Sequence, residues 1–301
     1  MFNRISLFIL TNIAVLAVAA LVLNLLGVDR MVMEALGEHA PNYTSLFIFC
    51  AFFGFGGAFL SLFLSKWMAK RVTRTQIIDA PSNPTEVWLL DTTRELARRA
   101  GIETPEVGIF PAPEPNAFAT GARRNKSLVA VSEGLLRHMR RDEVRAVLGH
   151  EIGHVANGDM VTLTLLQGVL NTFVLFFSRI VGFIVDRVVL RNERGLGIGY
   201  FVVTIAAQIV FGILASAIVM WYSRRREFRA DAAGARLAGR GSMINALESL
   251  KRNYGRGQSM PESMAAFGIS ASARSGIRRM FSSHPPLDAR IQALRSLTSL
   301  S

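Results

Sequence analysis

The chain has 301 residues, of which 50% are hydrophobic, and a formal net charge of +12. A mean hydropathy of +0.33 is too apolar for an ordinary water-soluble protein of this length and points to a bilayer. The single cysteine, Cys50, excludes an internal disulfide and a cysteine metal cluster, so any metal must be held by histidine and carboxylate. The basic residues gather at the ends of apolar runs, where they read as anchors on the cytoplasmic membrane face. With no aromatic-interleaved basic patch, a nucleic-acid partner is not expected.

About twenty apolar residues are needed to cross a bilayer as a helix. Ile5 to Leu26 is the first candidate, broken only by Ser6, Thr11, Asn12 and Asn24. Ser45 to Leu64 is the second, and its Gly-rich stretch at 54–57 suits close helix packing in lipid. Lys66, Lys70, Arg71 and Arg74 follow it and place its end on the cytoplasmic side. Asp91 to Ala100 is an expected amphipathic helix ended by Gly101. Glu106 to Phe110, Asn116 to Thr120 and Ser127 to Val131 are expected short strands, the second or third supplying an exposed edge.

His150-Glu151-Ile152-Gly153-His154 is the most specific string in the chain. Acidic residues at 142 and 143 open a helical pattern, Val144, Val147, Leu148 and Ile152 recur along it, and Asn157-Gly158-Asp159 stops it. On a helix His150 and His154 share one face one turn apart, so both imidazoles can grip one ion while Glu151 reaches its water. A bland alternative is two polar surface histidines, which the scarcity of histidine, five in all, disfavours.

Met160 to Phe177 is a third apolar run, and Arg179, a costly residue in lipid, interrupts it before Ile180 to Val185 continues. Tyr200 to Trp221 is the fourth, and Arg224, Arg225, Arg226 and Arg229 beyond it mark a cytoplasmic end. Two histidines do not complete a catalytic zinc site, which takes three protein ligands and a water. Glu227 is the third-ligand candidate, with Asp231 one helical turn on, able to accept a hydrogen bond from a histidine ring. The competing reading is that both acids neutralise the neighbouring arginines. The stretch 255–276, rich in Gly, Ser, Ala and Met, is an expected loop or lid. For the oxyanion the residue types leave His284, Arg290, Asn116 and Tyr222 open. His284 ahead of Pro285-Pro286 also suits a helix entry, and Arg290 an ordinary surface base.

Together these strings resemble the HtpX family of bacterial membrane zinc metalloproteases, relatives of the CAAX prenyl protease. The match runs through Asn-Ala-Phe-Ala-Thr-Gly at 116–121, His150-Glu151-x-x-His154, an apolar hairpin, Ser223-Arg224-x-x-Glu227-x-x-Ala230-Asp231 and His284-Pro285-Pro286. The resemblance implies an α-helical integral membrane protein with four transmembrane helices and an α+β zincin-like (gluzincin) cytoplasmic protease domain in a bacterial inner membrane. Residues 1–66 and 160–222 would be membrane hairpins, and 67–159 and 223–301 the two parts of the protease domain. It implies one zinc ion on His150, His154 and Glu227, with Asp231 behind them. Glu151 would be the catalytic base, with His284, Arg290 and Asn116 at the reacting centre. It further implies cleavage of misfolded membrane proteins under stress; the oligomeric state stays open. Rival readings are an intramembrane protease, a non-hydrolytic zinc-binding or transporting protein, and a scaffold carrying the motif by accident. The charged approach at Arg140 to Arg145 and the scarcity of ionisable residues within the spans count against the first two.

Overall fold

The computed structural model describes residues 43–192, 196–254 and 285–297. The expected first span, the 255–276 loop and His284 lie outside the described residues. The elements are α1 (Tyr43–Thr73), β1 (Gln76–Ile77), α2 (Pro84–Arg99), β2 (Glu106–Phe110), β3 (Ala117–Thr120) and β4 (Leu128–Ser132). There follow α3 (Glu133–His138), α4 (Arg141–Asn157), α5 (Asp159–Ile184), α6 (Ile198–Ala238), α7 (Arg240–Tyr254) and α8 (Leu287–Ser296).

Among the described residues three helices are long and apolar enough to cross a bilayer: α1, α5 with the π turn that extends it to Val189, and α6. In the most apolar window of α6 only 17% of the residues are buried. Ile205, Ile209 and Ile213 there are each more than half exposed, which only a lipid environment makes favourable. The chain is an integral membrane protein. Arg179 does not break α5. Its Nη1 donates to the carbonyl of Leu175, 3.0 Å away, and the guanidinium lies 5.7 Å from the Phe49 ring centroid.

The chain divides into two compact units. One takes the described residues up to Gly57 together with Gln167–Ala215, and the other takes Ala58–Leu166 together with the residues from Ser216 onward. Within the first, Cys50, Phe176 and Ile180 form a small core, and the α1–α5 approach at Gly54 leaves no room for a Cβ, which would meet Thr172 Oγ1 at 2.6 Å.

The second unit is built on a mixed sheet in the order β1-β2-β4-β3, with β2 and β4 parallel and both outer pairs antiparallel. β3 is therefore an edge strand and β4 an interior one. This removes the Ser127 to Val131 segment as an exposed edge, because Glu106–Phe110 and Ala117–Thr120 flank it on both sides. β1 is too short, at two residues, to show any periodicity in the sequence. α2 begins seven residues earlier than its apolar pattern suggests. Asn83 caps it by accepting from the N–H of Thr85 and Glu86, and Pro84 occupies the first turn where no N–H is needed.

Lys66 and Lys70, at the end of the apolar part of α1, also serve the fold. Both donate to Glu106 at 2.7 Å, tying α1 to the start of β2. α4 runs through the centre of this unit, with Val144, Val147, Leu148 and Ile152 buried alongside Leu247 of α7 and Ile291 of α8. Full burial of each such side chain contributes roughly 1.5–3 kcal/mol. Gly153 and Gly234 let α4 and α6 approach closely: a Cβ on Gly153 would meet that of Ala233 at 2.7 Å, and one on Gly234 would meet the His150 nitrogen at 3.1 Å.

Candidate active site

α4 opens at Arg140, whose N–H donates to Glu143 at 2.9 Å, and closes at Gly158 in the left-handed region with φ 68°. Between these ends His150 and His154 stand one turn apart, both buried. Their Nε2 atoms face each other at 3.2 Å. Glu227 arrives from α6, fully buried, with its carboxylate 3.3 Å from His154 Nε2 and 3.6 Å from His150 Nε2. The three ligand atoms lie within 4.8 Å of one another, close enough to hold one metal ion.

The other ring nitrogen of each histidine meets its own carboxylate. His150 Nδ1 is 2.9 Å from Asp231, as the one-turn spacing from Glu227 suggests. His154 Nδ1 is 2.7 Å from Asp159, a residue the sequence reading passed over as part of a helix stop. Gly158 turns the chain so that Asp159, the first residue of α5, comes back over the last turn of α4. The signal was present, an acid two residues beyond an expected helix end, but its direction depends on the positive φ of the glycine.

Arg290 is 1% exposed, which removes the surface-base reading. It grips Asp231 with two hydrogen bonds, Nε at 2.7 Å and Nη2 at 2.5 Å, and its Nη1 lies 3.6 Å from Glu227. The neighbouring arginines do not neutralise Asp231. Beside Glu227, Arg226 Nε lies at 3.9 Å. Glu151 is buried on the helical turn between the two histidines. Asn116 is buried just ahead of β3, its N–H donating to Ser132 Oγ at 2.9 Å, and β3 packs against α4. Tyr222 accepts from Arg229 at 3.4 Å rather than joining the ligand cluster.

A family model described as peptidase family M48 matches residues 83–298 of this chain. The chain belongs to peptidase family M48. Its M48 relatives include the protein named Protease HtpX from Hahella chejuensis, 61% identical over 291 residues that cover 97% of this chain and 98% of the relative. The Protease HtpX of Stutzerimonas stutzeri is 60% identical over 292 residues, again covering 97% and 98%. Among solved structures the fold resembles that of S. mikatae Ste24p, with a TM-score of 0.61 and 17% identity over 96% of this chain and 67% of the other. M48 membership and the membrane helices make this protein a membrane-bound zinc metalloendopeptidase.

The residues of this M48 site fit zinc on their own chemistry. Asp231 and Asp159 each hold a proton on the Nδ1 they face, which leaves a lone pair on both Nε2 atoms. Two lone pairs and a carboxylate directed at one point, all buried, call for a cation between them. The electrostatics of the protein groups carry the same demand. Burial opposes an imidazolium at His150, but Asp231 and Glu227 outweigh it and its pKa is pushed up to about 9. His154 is raised in the same way, against burial, by Asp159 and Glu227. Asp231 lies ten residues past Trp221, beyond the apolar part of α6. Burial would raise its carboxyl, but Arg290 and His150 pull it down to about 2.

Proposed function

We propose that His150, His154 and Glu227 hold the zinc, that Glu151 is the general base and acid, and that the enzyme cuts membrane or membrane-proximal proteins at the cytoplasmic face of a bacterial inner membrane. The single observation that carries this reading is the convergence of the three ligand atoms from α4 and α6 within 4.8 Å.

When bound, zinc supplies Lewis acidity and a water whose pKa is lowered toward 7. Glu151 takes the proton of the attacking water and delivers it to the leaving amine. Asp231 and Asp159 hold the two imidazoles in the ligating tautomer, and Arg290 fixes Asp231. The resemblance also brings His284 and Asn116 to the reacting carbonyl. Burial of Arg290 behind Asp231 favours a positioning part for it. The edge strand β3, packed on α4, supports binding of an extended substrate through main-chain bonds. Such recognition reads backbone and suits misfolded substrates in a stress response, in keeping with the name of the HtpX relatives.

The cytoplasmic orientation rests on the arginines at 224–226 and 229, which follow the apolar part of α6. Ile5 to Leu26 supplies a fourth span in this reading, and the protease domain is assembled from 67–159 and 223–301. Glu151→Gln keeps one zinc per chain and loses cleavage of a model membrane protein, by roughly 10²–10⁴-fold, whereas His150→Ala loses both. Proteolysis retained by purified Glu151→Gln would overturn the assignment.

A further inference from the structure

Trp221 closes the apolar part of α6 and is 49% exposed. One turn on, the Arg225 guanidinium lies 4.6 Å from its ring centroid. The same device ends the apolar part of α1, where Trp67 is 58% exposed and Arg71 lies 5.4 Å from its ring. Among the described residues neither Arg71 nor Arg225 has a carboxylate partner, in contrast to Lys66 and Lys70, which are spent on Glu106. An exposed indole at the end of an apolar run sits where acyl chains meet headgroups, and an arginine over its face points a guanidinium at the phosphate level.

Arg229 continues this face. Its side chain is 53% exposed, it donates to Tyr222, and it lies 3.6 Å from Asp159 Oδ1. The other oxygen of Asp159 holds His154 Nδ1. A charged surface residue is thus two contacts from a zinc ligand.

We propose that Trp221, Tyr222, Arg225 and Arg229 bind an anionic phospholipid headgroup, and that its charge reaches the zinc site through Arg229 and Asp159. The proposal rests on the zinc assignment to His150, His154 and Glu227. A headgroup phosphate competes with Asp159 for Arg229. Released from that pull, Asp159 accepts more strongly from His154 Nδ1, and His154 Nε2 becomes the better ligand. Anionic lipid therefore tightens zinc binding. The exposed indoles commit the surface to lipid rather than to a free phosphate, which has no use for an apolar shelf.

The test reconstitutes the full chain in phosphatidylcholine vesicles and in the same vesicles with about one-third phosphatidylglycerol, an anionic lipid. Zinc affinity is read by competition with a chromogenic chelator. Wild type binds zinc several-fold more tightly in the anionic vesicles, and the gain fades with added salt. Arg229→Gln binds equally in both vesicles, Arg229→Lys keeps the response, and Arg225→Gln needs more phosphatidylglycerol to reach it. An equal gain in wild type and Arg229→Gln would mean simple accumulation of zinc at the charged surface and would sink the proposal. So would the same gain from inorganic phosphate added to phosphatidylcholine vesicles. Zinc bound with one affinity in both vesicles defeats this inference alone, whereas wild type without zinc in either defeats the site assignment with it.

Discussion

His150 and His154 are chemically alike, one turn apart and equally buried, yet their supports differ. Behind His150 stand Asp231 from α6 and Arg290 from α8, both about 1% exposed and drawn from distant parts of the chain. Behind His154 stands Asp159, five residues away, and then Arg229, which is half in solvent. The first support is a buried polar network whose members depend on one another. The second is a local turn with an adjustable outer end. One histidine is fixed by the core of the domain and the other is answerable to its surface.

The sharpest way to break this contrast is to remove each arginine. Arg290→Ala leaves Asp231 and Glu227 buried without their cation, at a cost of about 3–5 kcal/mol. Arg229→Ala removes an exposed partner of a pair separated by 3.6 Å and costs within about 1 kcal/mol. Thermal unfolding of both variants in detergent tests this, and equal losses would show that the two supports are equivalent.

Stripping the metal exposes the next difference, as a dependence on pH. The folded-state pKa of His150, about 9, lies above the ordinary 6.5. Its contribution is therefore complete below pH 6.5 and is lost as the pH rises through 9, up to about 3 kcal/mol. The Asp231 carboxyl, at about 2 against an ordinary 3.8, acts in the opposite sense, stabilising above pH 3.8 and failing as the pH falls through 2. These are two faces of the same contacts and are not added. Chelator-treated protein should lose melting temperature between pH 6.5 and 9, while zinc-loaded protein, with Nε2 taken by metal instead of a proton, should not. Parallel curves for the two forms would contradict the ligand assignment at His150.

Replacing each carboxylate by its amide ranks the supports at the metal. Asp231→Asn and Asp159→Asn both weaken zinc by roughly 10–100-fold, the usual range for partners of a ligating histidine. Asp231→Asn falls at the upper end, because it also leaves Arg290 buried and underpaired. Zinc affinities measured on both variants decide the order, and a greater loss in Asp159→Asn would reverse it.

How much of this was legible in the sequence follows the same division. The i,i+4 spacing of the histidines and of Glu227 and Asp231 is a property of single helices, so both pairs could be read directly. That the two pairs meet depends on α4 and α6 packing through Gly153 and Gly234, which no local pattern announces. For Arg290 the sequence left an oxyanion partner and an ordinary surface base both open, because only the fold brings it 59 residues back to Asp231. The strands at 106–110 and 117–120 were readable from composition, but their order was not, and β4 proved interior instead of an edge. α7 escaped because its apolar residues, Ala246, Leu247 and Leu250, acquire meaning only against α4. Lys66 and Lys70 also pair with Glu106, a second role that a charge pattern along the chain does not announce.

Asp159 is the instructive omission, since it is close in sequence and was still missed, and it supplies the smallest and cleanest test. Everything that turns it toward His154 passes through Gly158, at φ 68°. A Cβ added there meets nothing within 4 Å, so Gly158→Ala acts through backbone strain alone, about 1–2 kcal/mol. Relaxing that strain swings Asp159 away, and zinc affinity falls while the His150 contacts with Asp231 and Arg290 are untouched. Asparagine tolerates the left-handed region better, so Gly158→Asn should recover most of the loss. If alanine and asparagine weaken zinc to the same degree, the conformation of the turn does not control the ligand, and the two supports differ less than their geometry implies.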